Sequence, residues 1–151
     1  MNKENYSVSH KEVQGMVREF MLGWGYKVIT KQYHKKLYKN TPSYGGAGLN
    51  RYDDVFAHKV TDEKIVCEYK PTPITKYTVM VGFGQVLCCS VETNLRCYLV
   101  ICEDEFLEYT KELDCASWIG FFIYDTGKKI KYWRKPINLM QLPEPNKIQE
   151  V

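Results

Sequence analysis

The sequence predicts an α/β fold in which helices flank one mixed central sheet. Apolar residues recur at helical spacing over 9–22, which is typical of an amphipathic helix. Two continuous apolar runs, 96–102 and 117–124, are typical of strands buried on both faces of a sheet. Because a predicted helix separates these two strands, we expect them to be parallel, whereas strands 52–60 and 64–70 form an antiparallel hairpin.

The elements are predicted along the whole chain from periodicity and turn formers. In order they are a helix at 9–22, a strand at 26–33, a flexible Gly-rich loop at 40–50, strands at 52–60 and 64–70, a helix at 77–93, a strand at 96–102, a helix at 104–115, and strands at 117–124 and 128–133. Ser9 or Ser7 is expected to cap the first helix, and Gly23 and Gly25 to end it. We expect one domain over residues 1–151, with a core at about 10–135 and a flexible tail at 136–151.

Basic side chains are segregated from acidic ones, although the net charge is only +3. The basic residues form two groups, namely Lys27, Lys31, Lys35, Lys36 and Lys39, and then Lys128, Lys129, Lys131, Arg134 and Lys135. The acids gather at 103–114. Segregated charge is typical of a surface that steers DNA. Lysines that protect strand edges against aggregation would produce the same pattern, and the sequence leaves both interpretations open.

Several classes of protein are disfavoured by the sequence. No apolar stretch approaches the ~18 residues of a membrane span, and the polar N-terminus lacks the apolar segment of a signal peptide. These features predict a cytoplasmic protein. None of the six cysteines forms a CxxC pair, so no structural zinc site is expected, while a disulfide stays open.

The predicted hairpin brings three charged residues together. If its turn is centred near Thr61 or Asp62, Asp54 lies opposite Glu68 or Lys70 and points to the same face, with Cβ atoms about 5 Å apart. Carboxylates that close repel each other unless a cation lies between them.

Mg²⁺ is a suitable cation, because it accepts one or two carboxylates together with water and phosphate oxygens. A lysine beside it can stabilise charge on a phosphate. Metal-assisted phosphodiester hydrolysis is the reaction that needs these groups. If the turn shifts by one residue, Asp53 replaces Asp54 on this face.

These strings resemble the PD-(D/E)XK nuclease superfamily, whose members include archaeal Holliday-junction resolvases and RecB-like nucleases. The matching segments are Arg51–Ala57, Ile65–Lys70, Gly84–Leu87, and Glu12 on the first helix. The resemblance spans roughly residues 10–125 and implies a restriction-endonuclease-like αβββαβ core. The proline of the family's PD pair is missing, since Tyr52 and Asp53 precede Asp54.

The resemblance implies specific roles. The catalytic residues would be Asp54, Glu68, Lys70, Glu12 and Gln85, the metal would be held by Asp54, Glu68 and Tyr69, and nucleic acid would be bound by Lys31, Lys35, Lys36 and Arg51. Glu19 is an alternative to Glu12, and each of these residues also has a structural interpretation, such as a surface ion pair for Glu68 and Lys70.

The expected function is a Mg²⁺-dependent deoxyribonuclease, with Mn²⁺ as a substitute metal. The short chain favours a structure-selective resolvase or repair endonuclease, and a resolvase would act as a homodimer. The alternative is a non-catalytic nucleic-acid-binding module on the same fold.

Overall fold

A computed structural model describes residues 7–37, 52–113, 115 and 117–136 of the chain. Its centre is a six-stranded sheet in which the strands follow the order of the sequence. The strands are β1 (Tyr26–Val28), β2 (Asp54–His58), β3 (Lys64–Tyr69), β4 (Arg96–Cys102), β5 (Gly120–Tyr124) and β6 (Ile130–Arg134). The pairs β3–β4 and β4–β5 are parallel and the other three are antiparallel. The predicted mixed α/β sheet is confirmed.

Five helices accompany the sheet in the described part of the chain. They are α1 (His10–Gly23), α2 (Thr30–Leu37), α3 (Lys76–Thr93), α4 (Glu103–Glu108) and α5 (Thr110–Leu113). None of the described helices combines the length and apolar character that a membrane crossing requires.

Two apolar clusters cover the two faces of the sheet because side chains alternate along each strand. On one face, Val13, Val17 and Met21 of α1 pack on the sheet. On the other face, Val79, Val86 and Cys89 of α3 pack on it, together with residues of α5 and the start of α2. Adjacent residues of β2 and β3 therefore face different helices.

Polar caps fix the ends of the two long helices. The Ser9 side chain accepts a hydrogen bond from the Glu12 N–H, and the Glu12 carboxylate accepts one from the Ser9 N–H, which forms a capping box. Thr75 caps α3, and Asn94 ends it in the left-handed region at φ 65°. The predicted bounds of both helices agree with the structure to within a residue or two.

One predicted strand is wrong beyond its third residue. The strand expected at 26–33 ends at Val28, and α2 begins at Thr30. Ile29 and Tyr33 are four residues apart and both pack on the core, whereas Lys31 and Gln32 between them are both exposed. Such a pattern fits a helix and not a strand.

Two further predictions are modified or lie elsewhere. The single helix expected at 104–115 is divided at Tyr109 into α4 and α5. The predicted Gly-rich loop at 40–50 lies outside the described residues. The predicted flexible tail at 136–151 also lies outside them, except for Pro136, which is buried.

Candidate active site

The β2–β3 hairpin has a register different from the predicted one. Asp54 lies opposite Cys67, not opposite Glu68 or Lys70, so the turn is centred between Val60 and Thr61. His58 sets this turn, because its Nδ1 accepts two main-chain N–H groups of the turn at 3.2 Å each. The difference of one residue exchanges the two faces of the hairpin.

The predicted convergence of Asp54 with Glu68 and Lys70 is therefore wrong. Asp54 points to the face covered by α1. Continuing the register by one residue places Asp53 opposite Glu68, on the other face. Asp53, the alternative that the sequence left open, is the aspartate that accompanies Glu68.

Asp54 instead forms the centre of a buried hydrogen-bond network. Its carboxylate is fully buried and accepts both Nε and Nη2 of Arg18 at 2.8 Å. The hydroxyls of Thr30 and Tyr69 donate to it at 2.6 Å each. Burial alone would raise the pKa of Asp54, but these donors outweigh burial and hold the pKa below its usual value. Asp54 links α1, the start of α2 and β3.

Asp53 is held beside Glu68 by the main chain of β3. Its Oδ2 accepts the Tyr69 N–H at 2.7 Å and lies 3.2 Å from His10 Nε2. Glu68 is 14% exposed. Burial raises the pKa of Glu68 to about 8, and the charge of Asp53 contributes to the rise. Two carboxylates thus share a desolvated place at the end of the hairpin.

Lys70 supplies the positive charge at this place. Its Nζ lies 3.5 Å from Glu68 Oε1, and its side chain is 11% exposed. The main chain of Lys70 is fixed on both sides, because its N–H donates to the Val100 carbonyl at 2.9 Å and the Tyr124 hydroxyl donates to its carbonyl at 2.7 Å. The ammonium group is therefore carried by a rigid strand end.

Gly82 of α3 makes room for the Lys70 side chain. A Cβ atom at Gly82 would lie only 2.2 Å from Lys70 Cε. From the sequence alone, Gly82 is only a residue of low helix propensity near the start of a helix. No pattern in the sequence indicates its contact with Lys70. Only a small residue lets α3 pass this close to the lysine.

Gln85 and Glu68 line the same cleft, which has a volume of about 450 Å³. Its walls come from α3, β3 and β4 and include Tyr52, Cys88 and Glu92. Gln85 is exposed at the middle of α3, one turn beyond Gly82. Gln85 and Glu68 thus border the cleft from α3 and from β3.

Other predicted residues lie apart from this group. Glu12 is occupied by the Ser9 capping box and by an ion pair with Lys128, and Glu19 is exposed on α1. The Tyr69 phenol points away from Glu68, toward Asp54, so only its main chain borders the site.

The predicted nucleic-acid-binding residues are described only in part. Lys31 is exposed on α2. The side chains of Lys35 and Lys36 and the whole of Arg51 lie outside the described part.

The described residues contain no cluster of three or more His, Cys, Asp or Glu side chains placed to hold a metal ion. Asp53 and Glu68 form a pair of carboxylates instead. Hard divalent cations accept such a pair when water and phosphate oxygens complete the shell. Burial and the charge of Asp53 raise the pKa of Glu68, and a bound cation would lower it.

This pair predicts an unusual pH dependence of stability. The pKa of Glu68 is about 8 in the folded chain and about 4.3 when unfolded, so folding binds a proton between these values. The free energy of unfolding of the metal-free protein should fall with rising pH over this window, by about 1 kcal/mol per pH unit at most.

Urea denaturation at several pH values measures this slope. Glu68→Gln is expected to remove it and to stabilise the metal-free protein at pH 8. The same slope in wild type and Glu68→Gln would show that the carboxylate pair is not the cause.

Comparison of the chain with models of protein families, with curated proteins and with solved structures finds no match.

Proposed function

We propose that this protein is a metal-dependent nuclease that hydrolyses DNA phosphodiester bonds. The observation that carries the proposal is the convergence of Asp53, Glu68 and Lys70 at the end of the β2–β3 hairpin, beside the cleft that Gln85 lines. Burying a lysine with two carboxylates costs stability, and clusters of perturbed charged groups of this kind are frequent at functional sites. The chain order of helix, hairpin, crossover helix and parallel strand also supports the proposal.

Each residue has a distinct part in the proposed reaction. Asp53 and Glu68 would hold Mg²⁺ or Mn²⁺, which when bound supplies a Lewis acid and lowers the pKa of water. Glu68 would hold the ion as a carboxylate, so its proton would pass to solvent on binding. Lys70 Nζ stabilises negative charge on the phosphate and orients the attacking water. The Gln85 amide offers a donor and an acceptor to the same cleft.

The contact between Gly82 and Lys70 predicts a large effect from a single methyl group. Gly82→Ala is expected to displace the lysine and to lower the cleavage rate about 100-fold, because a shift of about 1 Å in a reacting group costs that much. Single-turnover kinetics on a labelled DNA substrate measures the loss.

Gly15→Ala is the matched control. Gly15 lies in α1, and a Cβ there meets nothing within 4 Å. This variant should retain full activity and gain stability from the better helix propensity of alanine. Equal activity in Gly82→Ala and wild type would contradict the role given to Lys70.

The function itself is tested with a panel of labelled duplex, single-stranded and four-way-junction DNA, with matching RNA. Each is incubated with Mg²⁺, with Mn²⁺ or with EDTA. Cleavage that needs the metal and prefers one structure would establish the reaction and name the substrate.

If none of these nucleic acids is cut, the binding measurements decide between the remaining interpretations. If the protein binds these nucleic acids in a salt-dependent way and cuts none of them, the chain is a binding module and the nuclease proposal is wrong. Absence of both binding and cleavage would exclude both functions.

A further inference from the structure

An exposed strip of aromatic and basic side chains runs along α1 and β6. We define the α1–β6 strip as Phe20, Trp24, Lys128, Lys129, Trp133 and Lys135. Trp24 is 45% exposed and Trp133 is 40% exposed. Because the two rings contact each other, they form one contiguous exposed aromatic patch, and such a patch indicates an interaction surface.

The aromatic rings of the strip support one another. The ring of Trp24 lies 4.6 Å from that of Phe20 and 5.2 Å from that of Trp133. Phe20 is anchored in turn on buried Phe122 at 5.8 Å. Lys135 Nζ lies 5.4 Å from the centre of the Trp133 ring. The result is an ordered aromatic platform with a cation on its face.

The strip begins beside the candidate active site. Lys128, in the turn that precedes β6, pairs with Glu12 in the first turn of α1. Two residues earlier, His10 contacts Asp53 at 3.2 Å. The strip then follows α1 for about 20 Å to Trp24. A strand lying in the active site could therefore continue along it.

We infer that the α1–β6 strip binds single-stranded nucleic acid. The bases of the nucleic acid stack on Trp24 and Trp133, and the phosphates of the nucleic acid contact Lys128, Lys129 and Lys135. Proteins that hold single strands combine a basic track with aromatic platforms in this way. The inference deepens the proposed nuclease function, since it gives the substrate a single-stranded segment next to the cut.

The charge of β6 and the preceding turn favours a nucleic acid over a second copy of the chain as the partner of the strip. Residues 128–135 contain five lysines or arginines and no acid. Pairing the outer edge of β6 with itself about a two-fold axis would bring these cations together, and like charges opposite each other are destabilising. A polyanion is complementary to the same edge.

Binding of a labelled oligothymidylate of about 15 nucleotides, followed by anisotropy in EDTA, tests the inference. EDTA prevents cleavage, so the result does not depend on the proposed reaction. Trp24→Ala and Trp133→Ala are each expected to weaken binding about 5- to 100-fold. Trp118→Ala is the matched control, because Trp118 is 41% exposed but lies outside the strip.

Two further variants guard against misfolding. Trp133→Phe keeps an aromatic platform and should retain most of the affinity. Lys135→Gln should lower the slope of log affinity against log salt by about 0.7. Circular dichroism and the melting temperature verify that each variant is folded.

Three results would overturn the inference. One is absence of wild-type binding, and another is equal affinity in wild type and both Trp→Ala variants. The third is a wild-type dimer that Trp24→Ala and Trp133→Ala convert to monomers in sedimentation, which would assign the strip to a second copy. A protein that binds through the strip but cuts nothing would refute the nuclease proposal alone.

Discussion

Asp53→Asn is expected to lower the rate of DNA cleavage about 100- to 1,000-fold without unfolding the protein. The substitution removes one of the two negative charges that would hold the metal. Loss of a single electrostatic group in an active site typically lowers the rate by about 100- to 1,000-fold. Stability should change little, because the asparagine oxygen can still accept the Tyr69 N–H that Asp53 accepts at 2.7 Å. Single-turnover cleavage and thermal melting measure the two effects.

Asp62→Asn in the same hairpin is the control for this charge removal. Asp62 lies in the exposed turn at φ 60°, a conformation that asparagine adopts readily. This variant should cleave DNA at the wild-type rate. Wild-type activity in Asp53→Asn would show that the carboxylate beside Glu68 has no part in the reaction.

Asp54→Ala is expected to destabilise the protein by about 3–5 kcal/mol, since it removes a fully buried carboxylate that accepts hydrogen bonds from Arg18, Thr30 and Tyr69. Arg18 loses its partner at 2.8 Å, and the hydroxyls of Thr30 and Tyr69 lose their acceptor. Urea denaturation measures the loss. Asp104→Ala, at an exposed carboxylate of α4, should cost less than about 1 kcal/mol.

The effect of Asp54 should also depend on pH in a defined direction. The pKa of Asp54 in the folded protein lies below its usual value, so its contribution is complete above about pH 4 and is lost as the pH falls further. The difference in free energy of unfolding between wild type and Asp54→Ala should therefore become smaller as the pH falls below about 4. A stable Asp54→Ala protein that has lost metal binding would instead return Asp54 to the active site.

Periodicity was sufficient to predict most of the fold. The capped helix α1 and the apolar strand β4 could be located because each pattern repeats over many residues. Helix α2 could not, because Ile29 and Tyr33 are too few apolar positions to establish a period, and the exposure of Lys31 between them becomes apparent only in the structure. Short segments carry too few residues to distinguish the two periods.

The residue types of the candidate site could be predicted, but the pairing register of the β2–β3 hairpin that brings them together could not. Asp53 and Asp54 are adjacent, so their assignment depends wholly on where the turn is centred. That position is set by His58, which caps the turn through its ring nitrogen, and no periodicity records such a contact. The approach of Gly82 to Lys70 is likewise a tertiary contact between distant segments.

Glu68→Gln separates the proposed catalytic role of Glu68 from folding, because this variant should be at least as stable as wild type without metal. The measurement is single-turnover cleavage of labelled DNA by both proteins, with Mg²⁺ and with EDTA. We expect wild type to cut only with Mg²⁺, and Glu68→Gln to be slower by at least about 100-fold. Equal Mg²⁺-dependent rates in the two proteins would contradict the assignment of Asp53, Glu68 and Lys70 as the catalytic centre.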